Sequence, residues 1–151
     1  MAVVTGKSDL IPDLRVSKDV PRPARARGRS ICAAGSLTHA ADDSNLSMWH
    51  LCDIPADAIL DSRTAFKTDT LNLGANVAIG TKTDPDALYT GAKGAALQPI
   101  AFGDAKHGKP AWEVLGLAAR PADNIISLYM HALANATGTG SAKFEIHYRY
   151  D

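Results

Sequence analysis

The last stretch of the chain alternates without a break. Phe144, Ile146, Tyr148 and Tyr150 fall on one face, and Lys143, Glu145, His147 and Arg149 on the other. A period of two marks a half-buried antiparallel strand, with one face on a core and one in solvent. Ile126, Leu128, Met130 and Ala132 alternate with Ser127, Tyr129 and His131 in the same way. Leu71, Leu73, Ala75, Val77 and Ile79 repeat the pattern, with Asn72 and Asn76 opposite. Apolar runs over Ile31–His39, Ser47–Ile54, Ile59–Thr68 and Leu97–Phe102 predict four further strands. Turn chemistry separates them, at Asp42-Asp43-Ser44-Asn45, Asp84-Pro85-Asp86, Gly103-Asp104 and 135–140. One segment breaks the period. Over 110–117, a proline at the first helical position precedes apolar Trp112, Val114 and Leu115, which predicts one short helix. Many short strands with regular turn signals give an all-β fold, a β-sandwich or jelly roll, with that single helix inserted.

Residues 1–29 follow neither period. They hold Pro12, Pro21 and Pro23, and Val20-Pro21-Arg22-Pro23 reads as extended because proline fixes φ and restricts the residue before it. We therefore divide the chain into an extended basic arm, 1–29, and a β-sandwich domain, 30–151. The charge supports that boundary. The 16 basic and 16 acidic residues cancel overall, yet the first thirty residues carry seven basic and three acidic side chains. The arm also has short apolar patches at Val3-Val4, Leu10-Ile11, Leu14 and Val16. A purely solvating tail has little use for these, so the arm is expected to dock on a partner surface.

Composition narrows the function classes. Aspartate outnumbers glutamate 14 to 2, which suits turns over helices. Zero net charge excludes a whole-chain basic nucleic-acid binder, and the arginines of the arm lack the interleaved aromatics of a strand-binding platform. No apolar run approaches the ~18 residues of a membrane span. Met1–Leu10 lacks the apolar region of a secretory signal.

Chemical motifs are sparse. Gly6-Lys7-Ser8 resembles the end of a phosphate loop, but Met1 stands where the first glycine belongs. The five histidines form no H-x-H or H-x-x-x-H pair. His131 and His147 fall on the expected solvent faces of their strands, where strand pairing could bring them together; surface polar contacts are expected of them, not metal ligation. Cys32 and Cys52 lie on separate strands and read as free buried thiols, with a bridge between neighbouring strands as the alternative. There is no G-x-S-x-G elbow, and the acids cluster in turns, so no catalytic, metal or cofactor constellation is expected.

Four segments carry a resemblance. They are Gly35-Ser-Leu-Thr-His-Ala-Ala-Asp-Asp-Ser, Leu51-Cys-Asp-Ile-Pro-Ala-Asp-Ala-Ile-Leu60, Ile100-Ala-Phe-Gly-Asp with Pro110-Ala-Trp-Glu-Val-Leu-Gly-Leu-Ala, and Phe144-Glu-Ile-His-Tyr-Arg-Tyr150. In their order, and in the Trp-Glu-x-Leu-Gly-Leu helix, they resemble tailed-bacteriophage head decoration, or cement, proteins of the β-sandwich or jelly-roll type. The resemblance covers about Ser30 to Asp151. It implies a non-enzymatic structural virion protein that binds the outside of an assembled capsid and stabilises it. It also implies the major capsid protein as partner, self-association with a homotrimer favoured over a homodimer, and residence on the capsid exterior after synthesis in the host cytoplasm. The arm lies outside the resemblance. From its composition, Leu10, Ile11, Leu14, Arg15, Val16, Arg22, Arg25, Arg27 and Arg29 are the expected capsid contacts. The competing reading is a virion fibre or glycan-binding module. That would need an exposed aromatic platform, whereas Trp49 and Trp112 sit in apolar contexts that favour burial.

Overall fold

The computed structural model describes residues 29–150. Its spine is the strand with the cleanest alternation, β8 (Gly140–Tyr150). Ala142, Phe144, Ile146 and Tyr148 point into the core, and Lys143 and Glu145 point outward. The strand β1 (Arg29–His39) runs antiparallel along one side of β8, with eleven residue pairs in unbroken register from Arg29↔Tyr150 to His39↔Gly140. Two short strands, β3 (Ile59–Leu60) and β4 (Ala65–Lys67), share its other side in tandem. These four form the first sheet.

The second sheet has the order β2-β7-β5-β6, from β2 (Met48–Pro55), β7 (Ile125–His131), β5 (Asn76–Gly80) and β6 (Tyr89–Ala92). All its pairings are antiparallel, and β2 carries a bulge between His50 and Cys52. A single apolar cluster joins the sheets. Leu37, Phe66, Phe144 and Ile146 come from the first, and Ile54, Ile79, Leu128 and Met130 from the second. Two antiparallel sheets closed over one core are a β-sandwich, as expected.

The helix is shorter than 110–117. Pro110 is its N-cap, with extended φ and ψ, and α1 runs only Ala111–Val114. It stops at a Schellman turn. Gly116, at φ +68°, donates its N–H to Glu113 O, and Leu117 N–H reaches back to Trp112 O. Ala111 and Trp112 donate backbone N–H groups to Ala58 O and Ala56 O, which pins the helix to the β2–β3 turn.

Three expected strands come out differently. Within 71–79 only Asn76–Gly80 is strand, because Gly74 takes φ +89° and breaks the extended run; Leu71 and Leu73 are buried from a loop instead. Within 59–68, Asp61 and Thr64 form a turn (Thr64 N–H to Asp61 O) that divides β3 from β4. Over 97–102 there is no strand. Leu97 makes one isolated bridge to Phe66, and the segment then turns, leaving Phe102 exposed. Conversely, β6 carries a glycine and little apolar alternation, so its sequence gave no strand signal; it pairs through its backbone with β5.

Candidate functional site

The first sheet presents an open outer face. Register puts Cys32 directly across from His147, and Ala34 across from Glu145. Because facing residues of an antiparallel pair share a face, Cys32, Glu145 and His147 converge on the outside of β1 and β8. Cys32 Sγ lies 3.5 Å from His147 Nε2, which lies 3.4 Å from Glu145 Oε2. Beside them Arg63 donates to Ser30 Oγ and pairs with Asp61 at 3.1 Å. That guanidinium holds the Asp61 carboxyl below its ordinary range. A shallow open groove of about 320 Å³ adjoins the cluster. Ala34, Gly35, Ala65 and Ala96 line it with Phe66 and Phe144, and Lys67, Lys143 and Glu145 supply its charge.

The second sheet's outer face carries a polar cluster of its own, also exposed. His50 stacks on Tyr129 with ring centroids 4.9 Å apart and pairs with Asp53 at 2.9 Å. The Ser127 hydroxyl also donates to Asp53. The Ser127 hydrogen bond is the main reason the Asp53 carboxyl sits below its ordinary range, with His50 adding to it. His131 departs from expectation. It is buried, not solvent-facing, because Nε2 meets Thr81 O at 2.8 Å and the 81–84 turn folds against it. His131 and His147 also lie on different sheets, so strand pairing does not bring them together. A third histidine, His39, is buried at the end of β1. Its Nε2 accepts from Asn72 N–H, so its Nδ1 carries the proton and donates to Ala40 O.

Both cysteines are free, as expected, but neither is fully buried. Cys32 is exposed, because it falls on the outer face of an edge strand. Cys52 is half-buried, and burial together with the Asp53 charge pushes its thiol up to about 11. Trp49 and Trp112 are half-buried and packed against the core, so neither offers a free aromatic platform. Exposed apolar side chains occur elsewhere, at Leu46, Met48, Phe102, Ile125 and Leu133.

Of the expected capsid contacts, Leu10, Ile11, Leu14, Arg15, Val16, Arg22, Arg25 and Arg27 lie outside the described residues. Arg29 is the exposed first residue of β1, opposite Tyr150. No helix among the described residues is long and apolar enough to cross a membrane. Sequence reading missed the Cys32, Glu145 and His147 cluster. The two-residue spacing of Glu145 and His147 on one strand face was visible, but only the β1–β8 register adds Cys32.

The fold and its outer faces thus define an all-β sandwich without an enclosed cleft of convergent acids and bases among the described residues. No family model matches the chain, and no curated protein matches it. Among solved structures it is similar to a chain of the Cyanophage Pam1 capsid asymmetric unit, at 13% identity and a TM-score of 0.57. The match covers 88% of this chain and 94% of that one, so the two share a fold over nearly their whole lengths.

Proposed function

We propose that this protein is a structural component of a phage virion, a decoration protein that binds the outside of an assembled capsid and strengthens it. The observation that carries the reading is the near-complete fold match to a chain of a cyanophage capsid asymmetric unit. The resemblance of residues 30–151 to decoration proteins points the same way. The proposed partners are the major capsid protein and further copies of this chain, as a homotrimer. The site of action is the capsid exterior, after synthesis in the host cytoplasm. The role is one of binding and not of catalysis.

In this reading the body sits on the shell and the arm, 1–29, bridges neighbouring capsid subunits. Fully extended, 29 residues reach roughly 90 Å. Arg22, Arg25, Arg27 and Arg29 meet acidic side chains of the shell, each exposed pair contributing under ~1 kcal/mol. Burial of Leu10, Ile11, Leu14 and Val16 then supplies most of the arm's affinity, at ~25 cal/mol per Å² of apolar surface. Binding the assembled shell in preference to free capsid subunits shifts the equilibrium toward intact particles, and many copies multiply a modest contact.

The test uses purified heads lacking this protein. Full-length chain is expected to bind them and raise their resistance to heat or chelator. Deleting residues 2–28, which leaves β1 whole, is expected to cut occupancy by at least 10-fold. Equal occupancy by the truncated chain removes the bridging role. Failure of the intact chain to bind any head removes the decoration reading.

A further inference from the structure

We propose that Cys32, Glu145 and His147 form a binding site for a zinc-class divalent metal ion on the outer face of the β1–β8 pair. Sulfur, imidazole nitrogen and carboxylate oxygen are the three donor types that zinc takes from proteins. One ligand atom from each residue lies within 4.8 Å of the others, so a small side-chain movement brings all three onto a single ion.

The spacing within the cluster fits a shared ion. With Zn–S near 2.3 Å and Zn–N and Zn–O near 2.0–2.2 Å, tetrahedral geometry puts sulfur and nitrogen about 3.6 Å apart and nitrogen and oxygen about 3.4 Å apart. The corresponding separations here are 3.5 Å and 3.4 Å. In the metal-free protein those contacts are hydrogen bonds, which hold the donors near their places.

Backbone geometry makes the arrangement stiff. Cys32 and His147 are a direct cross-strand pair in a ladder of eleven pairs with no bulge. Glu145 follows on the same face, and across from it Ala34 is small enough to leave the carboxylate room to lean toward the diagonal Cys32. Arg63 is paired with Asp61, and Lys143 and Arg149 share the β8 face with Glu145 and His147, so the negative charges of the Cys32 thiolate and the Glu145 carboxylate are what draw the cation.

Binding is a ligation without redox change. The Cys32 S–H bond breaks, its proton passes to solvent, and the thiolate electron pair forms the metal–sulfur bond. His147 Nε2, which carries a proton while it donates to the Glu145 carboxylate, releases that proton to solvent as Nδ1 takes one up, and its freed lone pair and one from the carboxylate oxygen form the other two bonds. Three protein ligands leave the fourth position to water, which faces solvent on this open sheet.

The experiment is a titration of the full-length, reduced protein with Zn²⁺ against a chromophoric chelator, with Co²⁺ as a spectroscopic probe. One ion per chain is expected, with a thiolate-to-cobalt charge-transfer band. Cys32→Ser and His147→Ala should each weaken binding by more than the roughly 10–100-fold that changes outside the ligand shell cost. Cys52→Ser, on the other sheet, should leave it unchanged. Should a variant fail to fold, alkylating the exposed Cys32 thiol in the native protein makes the same test, since the half-buried, high-pKa Cys52 reacts slowly. Loss of binding on alkylation supports the site. Unchanged affinity in Cys32→Ser or in alkylated protein overturns it, as does a cobalt spectrum without the thiolate band.

Discussion

The first sheet hangs on one eleven-residue strand, hydrogen-bonded along both sides, whereas the second is assembled from four shorter strands with a bulge in its outermost member. The contrast extends to their outer surfaces. On the first sheet, strict alternation and unbroken register line up Cys32, Glu145 and His147 on an open face beside a shallow groove. On the second, the 81–84 turn buries His131 against Thr81, while Asp53, His50 and Ser127 join across β2 and β7 on the exposed face. The regular sheet leaves its clustered side chains to one another and to solvent, and the irregular sheet spends one histidine on a neighbouring turn. The two sheets still share one core, so they should unfold together while their faces respond separately.

The largest test of that picture is in the core. Ile146→Ala on the first sheet and Leu128→Ala on the second each remove a fully buried side chain. Each is expected to cost about 2–5 kcal/mol in chemical denaturation. In a Trp112→Phe background, Trp49 fluorescence, which then reports on the second sheet, should show the same loss of stability as amide protection of β1 on the first. Separate transitions would break the claim of a shared core.

A smaller effect is expected where β1 meets the spine. A Cβ on Gly35 would stand 2.6 Å from the Phe144 ring, and that ring is itself packed in the core. Gly35→Val should therefore destabilise by about 1–3 kcal/mol through overpacking. Thermal unfolding of the variant checks it. An unchanged midpoint would mean that the ring yields into the adjoining groove at no cost.

The smallest effect concerns the second sheet's face. Since the Asp53 carboxyl is held below its ordinary value, its contribution is present above the ordinary carboxylate range and is lost as pH falls through the lowered value. Ser127→Ala removes the principal cause. Its stability curve should differ from the parent by under ~1 kcal/mol near neutral pH, because the group is largely exposed, and should converge with the parent in acid. A difference that grows in acid would reverse the assignment.

Much of the fold was legible before the structure. The alternation in Phe144-Glu-Ile-His-Tyr-Arg-Tyr150 and in Ile126–His131 marks strands that both exist, because a half-buried strand writes its two environments directly into a period of two. The misjudged segments failed for local reasons. Gly74 ends an alternating run by taking a left-handed conformation, and β6 pairs through its backbone while its side chains carry little pattern. His131 sits at a solvent-facing position of its strand, yet a turn fifty residues earlier covers it. The cluster at Cys32 was invisible in the same way, since Cys32 lies more than a hundred residues from Glu145 and His147.

By itself, then, the order of residues determined the strongly alternating strands and which of their faces are apolar, because burial and strand pleat are local properties of a few neighbours. Register and sheet membership were decided only in three dimensions. Which strand lies beside which is set by closure of the whole core around Ile146, Leu128 and their neighbours, and that choice set Cys32 opposite His147.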